Sequence, residues 1–345
     1  MKLMVATRGS ALALWQTDWV IQRLRERHGA GLEVEILTVR TQGDRVLNVP
    51  IARIGGKGIF VKEIEDALLS GAADFAVHSL KDMPAAQPPG LCIAAVPVRE
   101  DPRDALVLPE VGIGCWVLGV RTDPTDPTDP TDPARTPNTQ HPIPNTQYLN
   151  PLPLGSSVGT TSRRRSALLL HERPDLRIEM LRGNLDTRLH KLDIGQHDAI
   201  VLAAAGLRRL GFAHRISELL PVDHFVPCAG QGALAIESRE DDSRVRKLLA
   251  PLEHPPTRGC VTAERAVLRR LEGNCHTPLG AHATLTEDQL QLYGMLASPD
   301  GAELVRVATH APAGDPEAAG SRLADLLIDA GGDRILAALA MRDEG

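Results

Sequence analysis

Short apolar runs alternate with amphipathic helical segments along most of the chain, and this alternation limits the folds that it can adopt. Runs at 3–7, 33–39 and 74–79 predict strands. Between the first two, Ser10 is the expected N-cap of a long helix. A glycine-rich segment leads into a second helix, expected at 61–69. The first helix is expected to bury Leu14, Trp15, Trp19 and Leu24. This succession predicts an α/β fold, in which ligands bind at the carboxyl ends of the strands.

The alternation returns after residue 153 and predicts a second α/β unit. Its strands are expected at 157–160, 177–181 and 199–202, and its helices at 162–170, 184–194 and 203–210. A turn at 230–232 precedes a strand at 233–236. A helix at 261–271, strands at 289–296 and 303–309, and helices at 316–329 and 334–341 predict a smaller α+β C-terminal domain.

The segment at about 115–150 differs in composition from both α/β units. Thr-Asp-Pro repeats occupy 122–133, and Pro-Asn-Thr-Gln occurs twice shortly afterwards. Repeated proline without hydrophobic residues cannot bury enough apolar surface to fold. We therefore interpret this segment as a low-complexity insertion.

Charge and composition disfavour several classes of function. A net charge of −6 and an aromatic content of 3% argue against nucleic-acid backbones and base-stacking as the basis of recognition. No apolar run is long enough for a membrane span, and the N-terminus does not resemble a secretory signal. Five cysteines without a Cys-x-x-Cys pair fit a reducing compartment better than a disulfide framework or a zinc site. We therefore expect a cytoplasmic protein.

Basic side chains stand at strand ends and helix starts, where they are not expected without a partner. Arg163, Arg164 and Arg165 occupy the first turn of a helix, where the dipole disfavours cations. An anion bound there would explain them, because backbone N–H groups and guanidinium forks would converge on it. A solvated basic patch is the alternative. Similar positions are held by Arg8, Lys57, Lys81, Arg182 and Arg188. Together they predict a cleft for a ligand with several carboxylates or phosphates.

Asp82, unlike the basic residues named above, places an acidic side chain at a strand end. It can simply cap a turn, as aspartate often does. Alternatively, a carboxylate in a closed cleft can accept hydrogen bonds from N–H groups, stabilise developing positive charge and transfer a proton.

Cys275 stands in a loop between helix-breaking residues, because Gly273 precedes it and Pro278 follows it. A loop cysteine can have no role at all. It can also be a nucleophile or a point of covalent attachment, since an accessible thiol is reactive where a buried one is inert.

Segments distributed in order along nearly the whole chain, except the proline-rich insertion, resemble the porphobilinogen deaminase (hydroxymethylbilane synthase) family. They include His-Ser-Leu-Lys-Asp-Met-Pro at 78–84 and Glu-Gly-Asn-Cys at 272–275. The other segments are 6–10, 14–16, 55–63, 99–104, 158–165, 181–184, 205–207 and 230–232.

The resemblance implies two α/β domains like type II periplasmic binding proteins, which face each other across a cleft, and a smaller α+β third domain. The implied domains are 1–99 with 228–250, 100–227 including the insertion, and 254–345. The family joins four porphobilinogen molecules head to tail into hydroxymethylbilane and releases ammonia at each step. It primes this chain on a dipyrromethane cofactor held by a thioether, which here implies Cys275.

The resemblance also implies roles for individual residues. Asp82 matches the catalytic aspartate, which would stabilise a cationic azafulvene through pyrrole N–H groups and assist proton transfer. Besides Cys275, the implied cofactor-binding residues are Ser10, Ser79, Lys81, Asp82, Thr160, Ser162, Arg164, Arg165, Arg182 and Gly183. The implied substrate-binding residues are Arg8, Lys57, Arg182, Arg188 and Arg209. We expect the protein to be a monomer and its small-molecule substrate to be porphobilinogen. No bound metal, nucleic-acid partner or membrane association is expected.

The sequence departs from the family pattern in places, and alternative functions remain to be weighed. Asn274 stands where many members have a second glycine, and Arg163, to which we assign no role, stands where an apolar residue is common. One alternative is a two-lobed protein that binds a carboxylate ligand without chemistry. Another is a cysteine hydrolase using Cys275 and His276, although neighbours in sequence rarely form such a pair.

Overall fold

A computed structural model of the chain describes residues 2–29, 31–41, 61–110, 148–273 and 277–343. Two five-stranded sheets and a three-stranded sheet form its framework. The expected fold class, two α/β units and a smaller α+β domain near the C-terminus, is confirmed. Lys57, Cys275 and most of the proline-rich insertion lie outside the described residues.

The secondary-structure elements are numbered in chain order. The strands are β1 (Lys2–Arg8), β2 (Glu33–Val39), β3 (Phe75–Ser79), β4 (Leu91–Ala95), β5 (Asp104–Val107), β6 (Ser157–Gly159), β7 (Arg177–Glu179), β8 (Ala199–Ala203), β9 (Glu218–Leu219), β10 (Leu234–Arg239), β11 (Leu279–Thr286), β12 (Gln289–Ala297) and β13 (Leu304–Pro312). The helices are α1 (Ala11–His28), α2 (Lys62–Leu69), α3 (Arg163–Glu172), α4 (Leu185–Asp193), α5 (Ala204–Arg209), α6 (Ser243–Leu249), α7 (Pro255–Arg270), α8 (Pro316–Leu327) and α9 (Asp333–Asp343). None of these helices is both long and apolar enough to cross a membrane.

The two larger sheets share one topology. The first has the order β2-β1-β3-β10-β4, in which β1 is parallel to β2 and β3 while β10 is antiparallel to β3 and β4. The second has the order β7-β6-β8-β5-β9, in which β6 is parallel to β7 and β8 while β5 is antiparallel to β8 and β9. We call the units built on these sheets the first and second lobes. The chain crosses between them after β4 and returns before β10.

The buried face of the first helix is shifted from the predicted stripe. Ser10 caps α1, as predicted, by accepting a hydrogen bond from the Ala13 N–H at 3.3 Å. The buried residues of the helix are Gln16, Thr17, Val20, Ile21 and Leu24, while Leu14, Trp15 and Trp19 are only partly buried. Trp19 nevertheless packs against the core of the first lobe. The predicted stripe is therefore confirmed at Trp19 and Leu24, whereas Leu14 and Trp15 lie outside the buried face. Polar Gln16 lies on the buried face because Ser79 of β3 provides its hydrogen-bond partner.

The long helix before the cysteine loop begins earlier than predicted. His254 is its N-cap, with its side chain accepting a hydrogen bond from the Thr257 N–H at 3.3 Å, and proline occupies the first turn. Proline is tolerated there because that N–H has no intrahelical partner. The helix α7 packs with α8 and the sheet β11-β12-β13 around a core that includes Val267, Leu292 and Leu323. This unit is the third domain.

Candidate active site

A cavity lies at the carboxyl ends of β1 and β3, where the sequence placed several functional residues. Because these strands are parallel neighbours, their carboxyl ends meet at one edge of the sheet. The cavity is lined by residues that include Arg8, Ser10, Gln16, His78, Ser79 and Asp82. The hydroxyl of Ser79 lies 3.0 Å from the amide nitrogen of Gln16. The structure thus brings four predicted site residues, Arg8, Ser10, Ser79 and Asp82, together in one lobe.

Lys81 and Asp82 are displayed on a single helical turn, Leu80–Asp82, that directly follows β3. The turn is fixed by Leu80, whose N–H donates to the Ala233 carbonyl at 3.0 Å and whose carbonyl accepts from the Met83 N–H at 3.1 Å. The side chains of Lys81 and Asp82 are exposed. The backbone of the turn is therefore held by hydrogen bonds, while its two charged groups are accessible.

Protein packed around Lys81 changes its acidity. Burial lowers the pKa of its ammonium group, and Arg165 acts in the same direction, while Cys228, Asp82 and Asp104 oppose them. The side chain is nevertheless exposed, and its ammonium group donates to Gln231 at 3.4 Å.

Asp104 is a fully buried carboxylate at the start of β5, and two predicted cofactor ligands bind it. Arg164 Nη1 donates to its Oδ2 at 2.7 Å, and Arg165 Nε donates to its Oδ1 at 3.0 Å. Gln231 donates to the same Oδ1 at 2.9 Å and accepts from Arg165 at 3.3 Å and from Lys81 at 3.4 Å. Gln231 therefore links the Lys81 turn of the first lobe with the arginines of the second.

The charges of this cluster stabilise each other but do not cancel. Burial raises the pKa of Asp104, but Arg164 and Arg165 outweigh this and hold it far below its usual range. Burial also opposes the charge of Arg164, and Asp104 more than compensates, so that its pKa is raised. Two guanidinium groups share one carboxylate, and Lys81 adds a third positive charge at the edge. The cluster stays cationic and can attract an acidic ligand.

Arg188 lies on α4 of the second lobe and has no carboxylate hydrogen-bonded to it among the described residues. Its Nε donates to the Gly183 carbonyl at 2.8 Å. Burial, Arg165 and Arg182 lower its pKa to about 10, and Asp82 acts in the opposite direction. Asp82 of the first lobe is therefore close enough to influence Arg188 of the second. We call the space between them the cleft.

Gly183 and Arg209 shape the edges of this region. Gly183 has a φ of +117°, and a Cβ there would lie 2.7 Å from Thr187 Cγ2, so that only glycine fits this turn. Arg209 Nη2 donates to the Gly232 carbonyl at 2.7 Å. This bond connects α5 to the segment through which the chain returns to the first lobe before β10. Burial lowers the pKa of Arg209 to about 10, and Glu100 opposes this.

Thr160 and Ser162 have local structural roles at the start of α3. The Thr160 hydroxyl accepts a hydrogen bond from the Ser162 N–H at 3.2 Å. The Ser162 hydroxyl caps the helix by accepting from the Arg165 N–H at 3.4 Å. The predicted start of this helix at Ser162 is confirmed. Each hydroxyl can still donate its proton, and the contacts expected with a cofactor stay a prediction.

The helix end before Cys275 is fixed although the cysteine itself lies outside the described residues. Gly273 N–H donates to the Leu268 carbonyl at 2.9 Å, and Glu272 N–H donates to the Arg269 carbonyl at 3.3 Å. These two bonds form a Schellman motif, whose left-handed residue is Glu272, with a φ of +50°, and not the expected glycine. Gly273 is required for another reason, because a Cβ there would lie 2.6 Å from Leu279 Cδ2.

Sequence reasoning missed a buried ion pair at the junction of the first and third domains. Glu264 of α7 accepts from Arg99 Nη1 at 2.6 Å, from the Gly230 N–H at 2.7 Å and from the Ala283 N–H at 2.8 Å. Burial raises its pKa, but Arg99 and His282 outweigh this and lower it to about 2. Arg99 and Gly230 stood in segments noted for their resemblance, whereas Glu264 carries no local signal.

Comparison with known proteins assigns the chain to a family. Residues 3–247 match the family profile described as porphobilinogen deaminase, dipyromethane cofactor binding domain. Residues 259–329 match the profile described as porphobilinogen deaminase, C-terminal domain. The chain belongs to the porphobilinogen deaminase family. This membership does not favour the alternative of a two-lobed protein that only binds a ligand.

Similar proteins extend over nearly the whole chain. The porphobilinogen deaminase of Syntrophotalea carbinolica is 47% identical over 337 residues, which cover 98% of this chain and 96% of that protein. The porphobilinogen deaminase of Methylobacillus flagellatus is 47% identical over 337 residues, with 98% and 97% covered. Among solved structures, a TRAP periplasmic solute binding protein from Desulfovibrio salexigens matches with a TM-score of 0.37 and 12% identity, covering 73% of this chain and 72% of that chain.

Proposed function

We propose that this member of the porphobilinogen deaminase family is a hydroxymethylbilane synthase. It condenses four porphobilinogen molecules head to tail, releases ammonia and is primed on a dipyrromethane joined to Cys275 by a thioether. The observation that carries the proposal is the geometry of the site. Arg8, Ser10, Ser79 and Asp82 line one cavity, and Gln231 joins Lys81, next to Asp82, to Arg165 of the second lobe.

The donor set of the cleft fits an acidic pyrrole ligand. Each porphobilinogen unit carries an acetate and a propionate, and the planar fork of arginine binds carboxylates better than lysine does. The lowered pKa of Arg188 shows that its charge is costly in the protein alone. A carboxylate bound there would compensate that cost.

We assign two sets of residues to binding on this basis. Cys275, Ser10, Ser79, Lys81, Asp82, Thr160, Ser162, Arg164, Arg165, Arg182 and Gly183 would hold the cofactor. Arg8, Lys57, Arg182, Arg188 and Arg209 would hold the substrate.

The chemistry that we propose centres on Asp82. When bound, the dipyrromethane supplies the pyrrole to which the first substrate is joined. The Asp82 carboxylate accepts a hydrogen bond from a pyrrole N–H of the substrate and stabilises the positive charge that develops as ammonia leaves. The same carboxylate can take up the proton that is released when the new carbon–carbon bond forms. Lys81 beside it stays cationic only at an energetic cost, which an acidic ligand would reduce.

We also propose the domain boundaries and cellular setting that the sequence predicts. Residues 1–99 with 228–250, 100–227 and 254–345 would form the three domains, a division supported by the presence of β10 in the first sheet. A cytoplasmic monomer without nucleic-acid partners is proposed as well. Cys92, Cys228 and Cys260 are free thiols, which supports a reducing compartment.

Asp82→Asn tests the proposed chemistry. The variant should carry the dipyrromethane adduct in intact-mass spectra, yet release ammonia from porphobilinogen about 100- to 1,000-fold more slowly, as expected when a preorganised electrostatic contact is lost. Asp66→Asn, at an exposed position of α2 in the same lobe, is the matched control and should retain normal turnover. Near-normal turnover in Asp82→Asn would contradict the role of this carboxylate.

Cys275→Ala tests the attachment point separately. This variant should show the unmodified mass and no turnover. Active protein in which Cys275 carries no adduct would contradict the proposed priming.

A further inference from the structure

Arg265 of α7 binds the segment that immediately follows the Asp82 turn. Its Nη2 donates to the carbonyl of Pro84 at 2.7 Å and to the carbonyl of Ala85 at 3.0 Å. One helical turn later, Arg269 Nη1 donates to the same Ala85 carbonyl at 3.1 Å. The third domain therefore holds the exit of the turn that displays Asp82.

The electrostatics of Arg265 are unusual for a residue that only joins two domains. Its side chain is buried, and no carboxylate is hydrogen-bonded to it among the described residues. Burial, followed by Arg269, lowers its pKa to about 10. A buried charge is expensive when its partners are neutral carbonyls. The other buried tie between these domains, Arg99 with Glu264, has a carboxylate to offset that cost.

The helix that carries Arg265 also leads directly into the cysteine loop. Its C-terminal end is closed by the hydrogen bonds of Glu272 and Gly273, and Gly273 packs against Leu279 of β11. A helix rises about 1.5 Å per residue and behaves as a stiff rod over this length. The same helix thus contacts the exit of the Asp82 turn at Arg265 and is closed at Glu272 and Gly273.

We propose that Arg265 is a positioning residue, whose hydrogen bonds to Pro84 and Ala85 hold the turn that displays Asp82 in place. The inference rests on the role proposed above for Asp82. Each of the four condensations uses the same carboxylate, so its turn must stay in place while the bound chain lengthens. A misplacement of about 1 Å can lower a rate by about 100-fold.

Hydrogen–deuterium exchange and steady-state kinetics of the holoenzyme test the proposal, with Arg265→Met as the main variant. Amides in residues 82–87 should exchange at least about 10-fold faster than in the wild type, because the loop loses its anchor, whereas exchange in β12 should not change. The kcat per adduct-bearing molecule, counted from intact mass, should fall about 10- to 100-fold. The KM should stay within about twofold, since Arg265 does not line the cleft.

Two further variants separate positioning from general stability. Arg265→Lys keeps the charge but offers no planar fork, so that both effects should be smaller than in Arg265→Met. Arg270→Met removes a cation from the same helix, whose partner among the described residues is the exposed Asp325. It should leave both loop exchange and kcat unchanged. If Arg265→Met does not fold, Arg265→Lys decides the matter by the same two measurements.

Wild-type exchange of residues 82–87 together with an unchanged kcat in the Arg265 variants would overturn the proposal. Equal effects in Arg270→Met would overturn it too, because they would show a general response of the helix to lost charge. An active Asp82→Asn variant would contradict the function proposed for Asp82. The exchange data would still show, independently of that result, whether Arg265 holds the turn.

Discussion

Two pairs of arginines in the second lobe were expected to bind acidic ligands, and the structure gives them different surroundings. Arg164 and Arg165 are buried around Asp104 and held by hydrogen bonds of 2.7 and 3.0 Å. Arg188 and Arg209 are partly buried and hydrogen-bonded only to the carbonyls of Gly183 and Gly232 among the described residues. The first pair therefore has an anion inside the protein, whereas the second pair does not.

The difference shows what an arginine at a helix start can mean. The sequence predicts an anion for the first turn of α3, and Asp104 is an anion at that place. The pKa of Arg164 is raised by its carboxylate, while burial lowers the pKa of Arg188 and Arg209 to about 10. Arg188 and Arg209 are thus better able than the first pair to bind a carboxylate of a ligand. Arg164 and Arg165 share one carboxylate, so this pair still carries a net positive charge and can also attract an acid.

Asp104→Asn should have the largest effect on stability. It leaves two buried guanidinium groups without their carboxylate, and breaking a buried pair costs about 3–5 kcal/mol. The free energy of unfolding in urea measures the loss. Asp325→Asn removes the partner of exposed Arg270 and should cost less than about 1 kcal/mol. Equal losses of unfolding free energy in the two variants would contradict the distinction between buried and exposed arginine partners.

The buried pair of Arg99 and Glu264 extends the comparison of buried and exposed ion pairs to the third domain. Its contribution to stability should depend on pH. The folded pKa of Glu264 is about 2, below its usual value of 4.5, so that its ionisation stabilises the fold above pH 4.5 and this contribution is lost as pH falls toward 2. The stability gap between the wild type and Glu264→Gln should therefore be large at neutral pH and close across that window. Urea unfolding at several pH values measures it.

An exposed acid provides the control for this pH series. Glu35 pairs with Lys2 at the surface, and Glu35→Gln should leave stability nearly unchanged at every pH. A gap for Glu264→Gln that persisted undiminished to pH 2 would show that the charge of Glu264 is not what stabilises the junction.

Local signals predicted the parts of the fold that depend on neighbours in sequence. The sequence predicted the Ser10 cap, the helix start at Ser162, the strand that ends at Ser79 and the alternation of the first lobe, because each depends on residues within one or two turns. The candidate site was predicted to the same extent. Arg8, Ser10, Ser79 and Asp82 meet at one sheet edge because parallel strands end together there.

What could not be predicted depends on partners that are distant in sequence. Asp104 opens a strand of only four residues, and its ligands Arg164 and Arg165 lie 60 and 61 residues away. Gln16 is on the buried face of α1 because of Ser79, 63 residues later. The hydrophobic periodicity predicts that these polar residues are exposed, because it contains no information about which element packs against them. Tertiary partners decide such positions.

Arg188→Met should affect turnover and leave stability intact, which is the reverse of the Asp104 variant. Losing hydrogen bonds to a charged ligand group lowers kcat/KM by about 10- to 100-fold. The free energy of unfolding should stay the same or rise, because a partly buried cation without a carboxylate is removed. Arg177→Met, at an exposed position bonded to the Gly155 carbonyl, should change neither quantity. A loss of stability without a loss of turnover would place Arg188 with the structural arginines.

Ser162 allows the smallest and most discriminating test, because it could serve α3 as a cap or the cofactor as a ligand. Ser162→Ala should cost about 1 kcal/mol of unfolding free energy through the lost cap. Ser166→Ala, one turn later, should be neutral or slightly stabilising, since alanine favours the helix interior. Ser162→Asp separates the two roles, because aspartate caps as well as serine but repels an acidic ligand. If Ser162 is only a cap, this variant keeps both stability and turnover; if it contacts the cofactor, stability is kept while the adduct-bearing fraction and turnover fall.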